Sequence, residues 1–183
     1  MTNPTILLLD AALQNHARRG VQHIQAAAFR EFLASAPEVF ERSHGPGHFT
    51  GSAWLVSGDG ERVLLTHHRK LGRWLQLGGH ADGDGDLARV ALREAQEESG
   101  LPDLVVEPAI FDLDRHRIPA RGDEPAHWHY DVRYVVHATG SEAFVVGEES
   151  LALAWRSIRE LASAAQTDAS LRRMANQWLA RFS

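Results

Sequence analysis

The chain has no cysteine, which removes disulfide frameworks, thiolate metal sites and cysteine nucleophiles from its chemistry. It also lacks an excess of positive charge: 19 Lys and Arg stand against 24 Asp and Glu, for a net charge of −5 and a pI near 6.1. A broad basic surface for nucleic-acid polymers is disfavoured, and small anionic ligands with a local positive pocket fit better. Long apolar runs are missing too. Ile6, Leu7, Leu8 and Leu9 are followed at once by Asp10, and no basic stretch precedes them. Neither a signal peptide nor a membrane span is therefore supported, and a cytoplasmic protein with no membrane partner is expected. There is no internal repeat or low-complexity tract. What is present, 183 residues with 44% hydrophobic and 23% charged, suffices for one well-cored domain with additions.

Apolar residues at helical spacing, among them Leu9, Leu13, Val21, Ile24, Ala28, Phe29 and Phe32, predict two helices within residues 5–36, broken at Gly20. They make a helical N-terminal extension over residues 1–45. The main domain follows over 46–183 and ends in a helix. Residues 49–56 and 62–67 read as strands around the turn Ser57-Gly58-Asp59-Gly60. Residues 105–113, 128–138 and 151–155 read as further strands, and the polar stretch 115–126 reads as a loop placed to lie over a ligand. Helical periodicity returns from Thr167-Asp168 to Phe182. Periodicity alone gives a mixed α/β protein.

Residues 79–101 carry the chemistry. Asp86 is a helix N-cap and Gly100-Leu101-Pro102 a stop, so a helix is predicted over 87–99. At about 100° per residue, Glu94, Glu97 and Glu98 share one arc beside an apolar arc of Leu87, Ala88, Ala91, Leu92 and Ala95. Such a helix packs and still presents its acids next to a glycine-rich loop. Carboxylates suit Mg²⁺ or Mn²⁺, which bind few protein carboxylates together with substrate phosphates. Nearby, Arg69, Lys70 and Arg73 are candidate phosphate contacts, and Trp74 and Trp128 candidate stacking surfaces.

This stretch resembles the box of the Nudix hydrolases, G-x5-E-x7-R-E-U-x-E-E-x-G-U with U apolar. Gly79, Arg93, Glu94, Ala95, Glu97, Glu98, Gly100 and Leu101 fall in register, and Trp74-Leu-Gln-Leu-Gly-Gly is similar to the strand that leads into such boxes. The departure is Gly85, which stands at the first glutamate position; Asp84 or Asp86 compensates, or one metal position is lost. The resemblance implies an α/β/α sandwich with a mixed β-sheet. It also implies a divalent-metal-dependent hydrolase that splits a phosphoanhydride bond in a nucleoside diphosphate linked to another group, by attack of water on phosphorus. Carried over by position, Glu97, Glu98 and the Gly79 carbonyl are metal ligands, Glu94 is a ligand or the general base, and Arg93 orients the glutamates. Glu148 and Glu149 precede the late strand, and Glu149 is the expected outer ligand.

Eleven histidines is many for this length. His127 and His129 are two apart on a predicted strand and so face the same way. With His48 and His80 they are similar in placement to the metal-binding residues of isopentenyl diphosphate isomerases, which share the fold. That resemblance implies a second site for Zn²⁺, Fe²⁺, Mn²⁺ or Ni²⁺ at His48, His80, His127 and His129, with Asp131 as an outer partner. His16, His23, His44, His67, His68, His116 and His137 receive no role. Isomerase chemistry itself lacks support, since Gly78 stands where those enzymes carry a cysteine. A reading of another class, a non-catalytic nucleotide sensor, draws on Gly85. The amphipathic N-terminal helices either cover their own core or pair with a second copy as a homodimer.

Overall fold

The structure is a computed structural model that describes residues 4–20, 22–123, 125–147 and 150–183. Helices α1 (Pro4–Arg18) and α2 (His23–Leu33) come first, with Gly20 at a φ of 79° in the break between them. Strands β1 (Gly47–Val56), β2 (Arg62–His68) and β3 (Arg73–His80) follow, then α3 (Leu87–Ser99). The chain continues through β4 (Leu104–Ile118), β5 (His127–Ala138), β6 (Ser150–Ser157), α4 (Ile158–Ser163) and α5 (Ala169–Leu179), and a 3-10 turn covers Ala180–Phe182. Asp86 caps α3 by accepting from the Arg89 backbone N–H at 3.1 Å, and Gly100 ends it in a left-handed conformation. Both ends of the predicted helix are thus set by local chemistry.

The strands form one six-stranded sheet in the order β4-β5-β1-β3-β2-β6. β1 runs parallel to β5, and the remaining pairs are antiparallel. Every residue of β1 is buried, because β1 is central and both sheet faces are covered, as expected when strands lie between helical layers. On one face, Phe49 and Tyr130 pack with Leu9, Leu13, Phe29 and Phe32 of the first two helices and with Val90 and Ala91 of α3. Phe32 lies flat on Tyr130 with ring centroids 3.8 Å apart. On the other face, Trp54, Val56, Val63 and Val135 pack with Leu171, Met174 and Trp178 of α5. The result is the mixed-sheet α/β/α sandwich. Among the described residues, no helix is long and apolar enough to cross a membrane.

The structure departs from the sequence reading most at β4 and ahead of α5. β4 runs on to Ile118, so the loop expected from residue 115 begins only after it. Its outer half is charged and pairs in register with β5, Asp112 opposite Arg133, Asp114 opposite Asp131 and His116 opposite His129. A short α4 capped by Ser157 also lies ahead of α5, which the sequence reading did not separate, while α5 starts at the expected Asp168 cap.

Candidate functional site

The box glutamates meet the end of β3. Gly51 and Gly79 are register partners on adjacent strands. A Cβ on Gly51 would come within 2.8 Å of the Leu87 carbonyl, and one on Gly79 would collide with the Glu94 carboxylate. Missing side chains at both positions therefore let α3 lie against the sheet and let Glu94 rest on the strand backbone. Arg93 donates to Glu94 Oε1 at 2.9 Å and to the His80 carbonyl at 3.1 Å. Glu98 Oε1 accepts from the Gly78 backbone N–H at 2.7 Å. Glu97, one residue earlier, is exposed. Helix and strand end together hold two carboxylates on a bare glycine backbone with a third in water beside them.

Gly85, where the first box glutamate is missing, is packed from above. A Cβ there would stand 2.6 Å from the Thr5 methyl of α1 and 3.3 Å from the Phe40 ring. Neither neighbouring acid is spare. Asp84 accepts from the Arg89 guanidinium at 2.7 and 2.8 Å, which holds its carboxyl below the ordinary value, and Asp86 is the cap of α3. Compensation by Asp84 or Asp86 thus has other hydrogen bonds to compete with.

The opposite face of the same strand end carries histidines. One ring nitrogen from each of His48, His80 and His129 lies within 4.8 Å of the others. His127 stands outside that trio, but its Nε2 is 3.2 Å from His129 Nε2, and its Nδ1 is 3.0 Å from the Pro125 carbonyl. His48 is 1% exposed, and neither of its ring nitrogens meets a hydrogen-bond partner among the described residues. Burial, with the neighbouring His80 and His127, lowers the His48 ring to about 4. Burial and the surrounding histidines lower His129 to about 2. These imidazoles are neutral at physiological pH and keep a lone pair for a ligand. The ring of His116, given no role by the sequence, lies 5.4 Å from that of His129.

Below the histidines the sheet carries a buried polar network. Asp131 accepts from Thr50 at 2.9 Å, Ser52 at 2.7 Å, Gln76 at 3.3 Å and Arg133 at 2.8 Å. Its carboxylate is engaged there rather than by a histidine, contrary to the outer-partner expectation. Arg133 reaches Asp112 at 3.1 Å, and Arg173 of α5 bonds Asp112 through two nitrogens at 2.8 Å and Asp114 at 2.8 Å. Burial alone would raise the Asp114 carboxyl, yet His116, Arg133 and Arg173 outweigh it and hold the group well below its ordinary value. Period-two alternation of Asp112, Asp114 and His116 was the available sequence signal for this network, hidden by ending the strand at residue 113 and reading 115–126 as loop.

Other expected contacts lie elsewhere. Arg69 donates to the Ser150 carbonyl at 3.2 Å, and Arg73 lies 3.7 Å from Asp168. Arg73 opens β3 and Gly79 is six residues on, a span of about 20 Å in a strand, so the basic stretch and the box occupy opposite ends. Lys70 is exposed in the same hairpin. Trp128 is partly exposed and alternates with His127 and His129, so it faces away from them, and the Arg115 guanidinium sits 4.9 Å over its ring. Trp74 stacks on His67 under Arg156. Glu148 and the expected outer ligand Glu149 lie outside the described residues.

The family profile described as NUDIX domain matches residues 48–178, from the first cluster histidine through α5. No curated protein sequence matches the chain. Among solved structures, the chain is similar to an Ap4A hydrolase from C. elegans at 15% identity and a TM-score of 0.58, covering 73% of this chain and 96% of that one. It is similar to the E. coli dihydroneopterin triphosphate pyrophosphohydrolase at 17% identity and a TM-score of 0.56, covering 73% and 95%. A NUDIX-family hydrolase from Clostridium perfringens gives 24% identity and a TM-score of 0.52, covering 74% and 98%. At these identities the likeness is one of fold.

Proposed function

The chain belongs to the Nudix family, and we propose that it is a pyrophosphohydrolase that cleaves a nucleoside diphosphate linked to another group with the help of Mg²⁺ or Mn²⁺. One observation carries the reading. Glu94 and Glu98 both reach the bare backbone of Gly78 and Gly79 from α3, with Glu97 exposed beside them.

That donor set fits a hard divalent cation, because it is all oxygen and only partly desolvated. Glu97, Glu98 and the Gly79 carbonyl would hold the ion. When bound, it would offset the charge of the diphosphate and lower the pKa of a water molecule. The chain's own residues do the rest. Arg93, tied to Glu94 and to the His80 carbonyl, fixes the Glu94 carboxylate against the strand end. Glu94 either joins the ligands or takes the proton as water oxygen bonds to phosphorus and the anhydride P–O bond breaks toward the leaving phosphate. We read residues 1–45 as an extension added to a main domain of residues 46–183, a reading supported by Thr5 of α1 and Phe40 packing over Gly85.

Purified protein is assayed for phosphate or diphosphate release from nucleoside triphosphates, nucleotide sugars, ADP-ribose and dinucleoside polyphosphates, with Mg²⁺ and Mn²⁺ compared. Turnover that disappears in Glu98→Gln supports the hydrolase and names its substrate class. The sealed Gly85 position favours a second reading, a nucleotide sensor. Tight nucleotide binding without turnover across the panel would select it.

A further inference from the structure

Independently of the hydrolase reading, we propose a second metal centre on the other side of β3: a zinc-type ion held by the imidazoles of His48, His80 and His129. The three residues come from the start of β1, the end of β3 and the start of β5, so the ion joins three adjacent strands where they open onto the loops.

The argument begins with His48. A neutral imidazole brings one donor and one acceptor, and burying either without a partner is destabilising. His48 buries both ring nitrogens at 1% exposure with no partner among the described residues. An apolar residue would suit that position better unless something meets the nitrogen. Among the described residues its surroundings offer no carboxylate or hydroxyl bond; they offer rings, with centroids of His80 at 5.0 Å, His127 at 5.0 Å and His129 at 4.7 Å. Stacking so many imidazoles around a buried one is poor core chemistry and good ligand chemistry.

Geometry agrees. Nitrogens bound to one tetrahedral Zn²⁺ stand about 3.4 Å apart, from Zn–N bonds of about 2.0–2.1 Å. The trio's nitrogens already lie within 4.8 Å of one another, so small ring rotations close the site. His127 supplies orientation. Facing the Pro125 carbonyl at 3.0 Å, its Nδ1 must carry the proton, which leaves an Nε2 lone pair 3.2 Å from His129 Nε2. It acts as an outer partner that sets the His129 ring. His80 and His129 are half-buried while His48 and His127 are buried, so a fourth position on the ion faces the open side and takes water or an anionic oxygen. All-imidazole ligation selects a borderline transition metal such as Zn²⁺ over Mg²⁺, which separates this centre chemically from the glutamates.

The test uses full-length protein purified without a histidine tag. Metal analysis after dialysis is expected to find about one zinc per chain, and Co²⁺ added to zinc-stripped protein is expected to give the visible bands of tetrahedral nitrogen coordination. His48→Gln and His80→Ala are each expected to lower zinc content by about tenfold or more, while Glu98→Gln retains it. His80 is only half-buried, so its variant keeps the test valid if the His48 variant misfolds. Wild-type protein that neither retains zinc nor gives Co²⁺ bands overturns the centre, as does zinc content unchanged in both histidine variants or lost in Glu98→Gln. Neither readout uses turnover, so a silent substrate panel leaves this result standing on its own.

Discussion

The two faces of one strand end solve opposite problems. Toward α3, Gly79 presents only backbone, and carboxylates lean onto it while Glu97 stays in water. Toward the other face, His80 joins a group of rings around the buried His48. Carboxylates are charged and cannot be fully buried without cost, so the acidic side remains open and suits a cation that keeps its water. Imidazoles survive burial by staying neutral, and burial lowers His48 to about 4, so that side suits a cation that sheds its water. Strand alternation is all that divides them. Arg93 touches both, through the Glu94 carboxylate and the His80 carbonyl.

The comparison can be broken most severely at Glu98. Glu98→Gln is expected to lower kcat by about 100-fold or more, equivalent to about 2.7 kcal/mol of barrier, with far-UV circular dichroism unchanged. Next comes the network under the histidines. Arg133→Leu leaves Asp131 buried without its cation and Asp112 with Arg173 alone and is expected to cost about 3–5 kcal/mol of stability, read from urea midpoints. That loss far exceeds what an exposed acid such as Glu97 can contribute, so Glu97→Gln should leave the midpoint nearly unchanged. Gly85→Glu, which restores the family residue, is expected to cost about 1–3 kcal/mol by overpacking and to leave turnover no faster, as checked by thermal melting and the release assay.

The smallest effect concerns acid. The folded-state Asp114 carboxyl lies below its ordinary value of 3.8, so its contribution is present above about pH 4 and fades as pH falls through the lower folded-state value. Urea midpoints of zinc-stripped wild type and Asp114→Asn should differ at pH 6, and the gap should narrow by pH 2.5. A gap that widens in acid would mean that Asp114 is not held as described.

Much of the glutamate side was legible because its signals are local. Asp86, the apolar arc and Gly100 set α3 at residues 87–99, as observed. The histidine side was legible in part, since His48, His80, His127 and His129 sit at strand ends that the sequence marks. What it could not show was long-range. The strand reading stops at residue 113 and His116 falls in the expected loop, because the partners of Asp112, Asp114 and His116, namely Arg133, Arg173 and His129, are between 13 and 61 residues away. Charged residues facing inward on β4 contradict the rule that charge marks loops, and only the opposing strand and α5 make them tolerable. Arg69 and Arg73 failed to join the box for a similar reason, because nearness in sequence along an extended strand is distance in space.

The contact between Thr5 and Gly85 also carries a genetic consequence. Helix α1 and the absent glutamate depend on each other, so the order of change matters: a side chain gained at residue 85 is harmful while Thr5 remains, and neutral only after the helix has shifted or shrunk. A library that varies one position at a time would score the family's own residue as deleterious here. Recovery of Gly85→Glu by second-site changes at Thr5 or Phe40 would be sign epistasis, written into the packing of one methyl group.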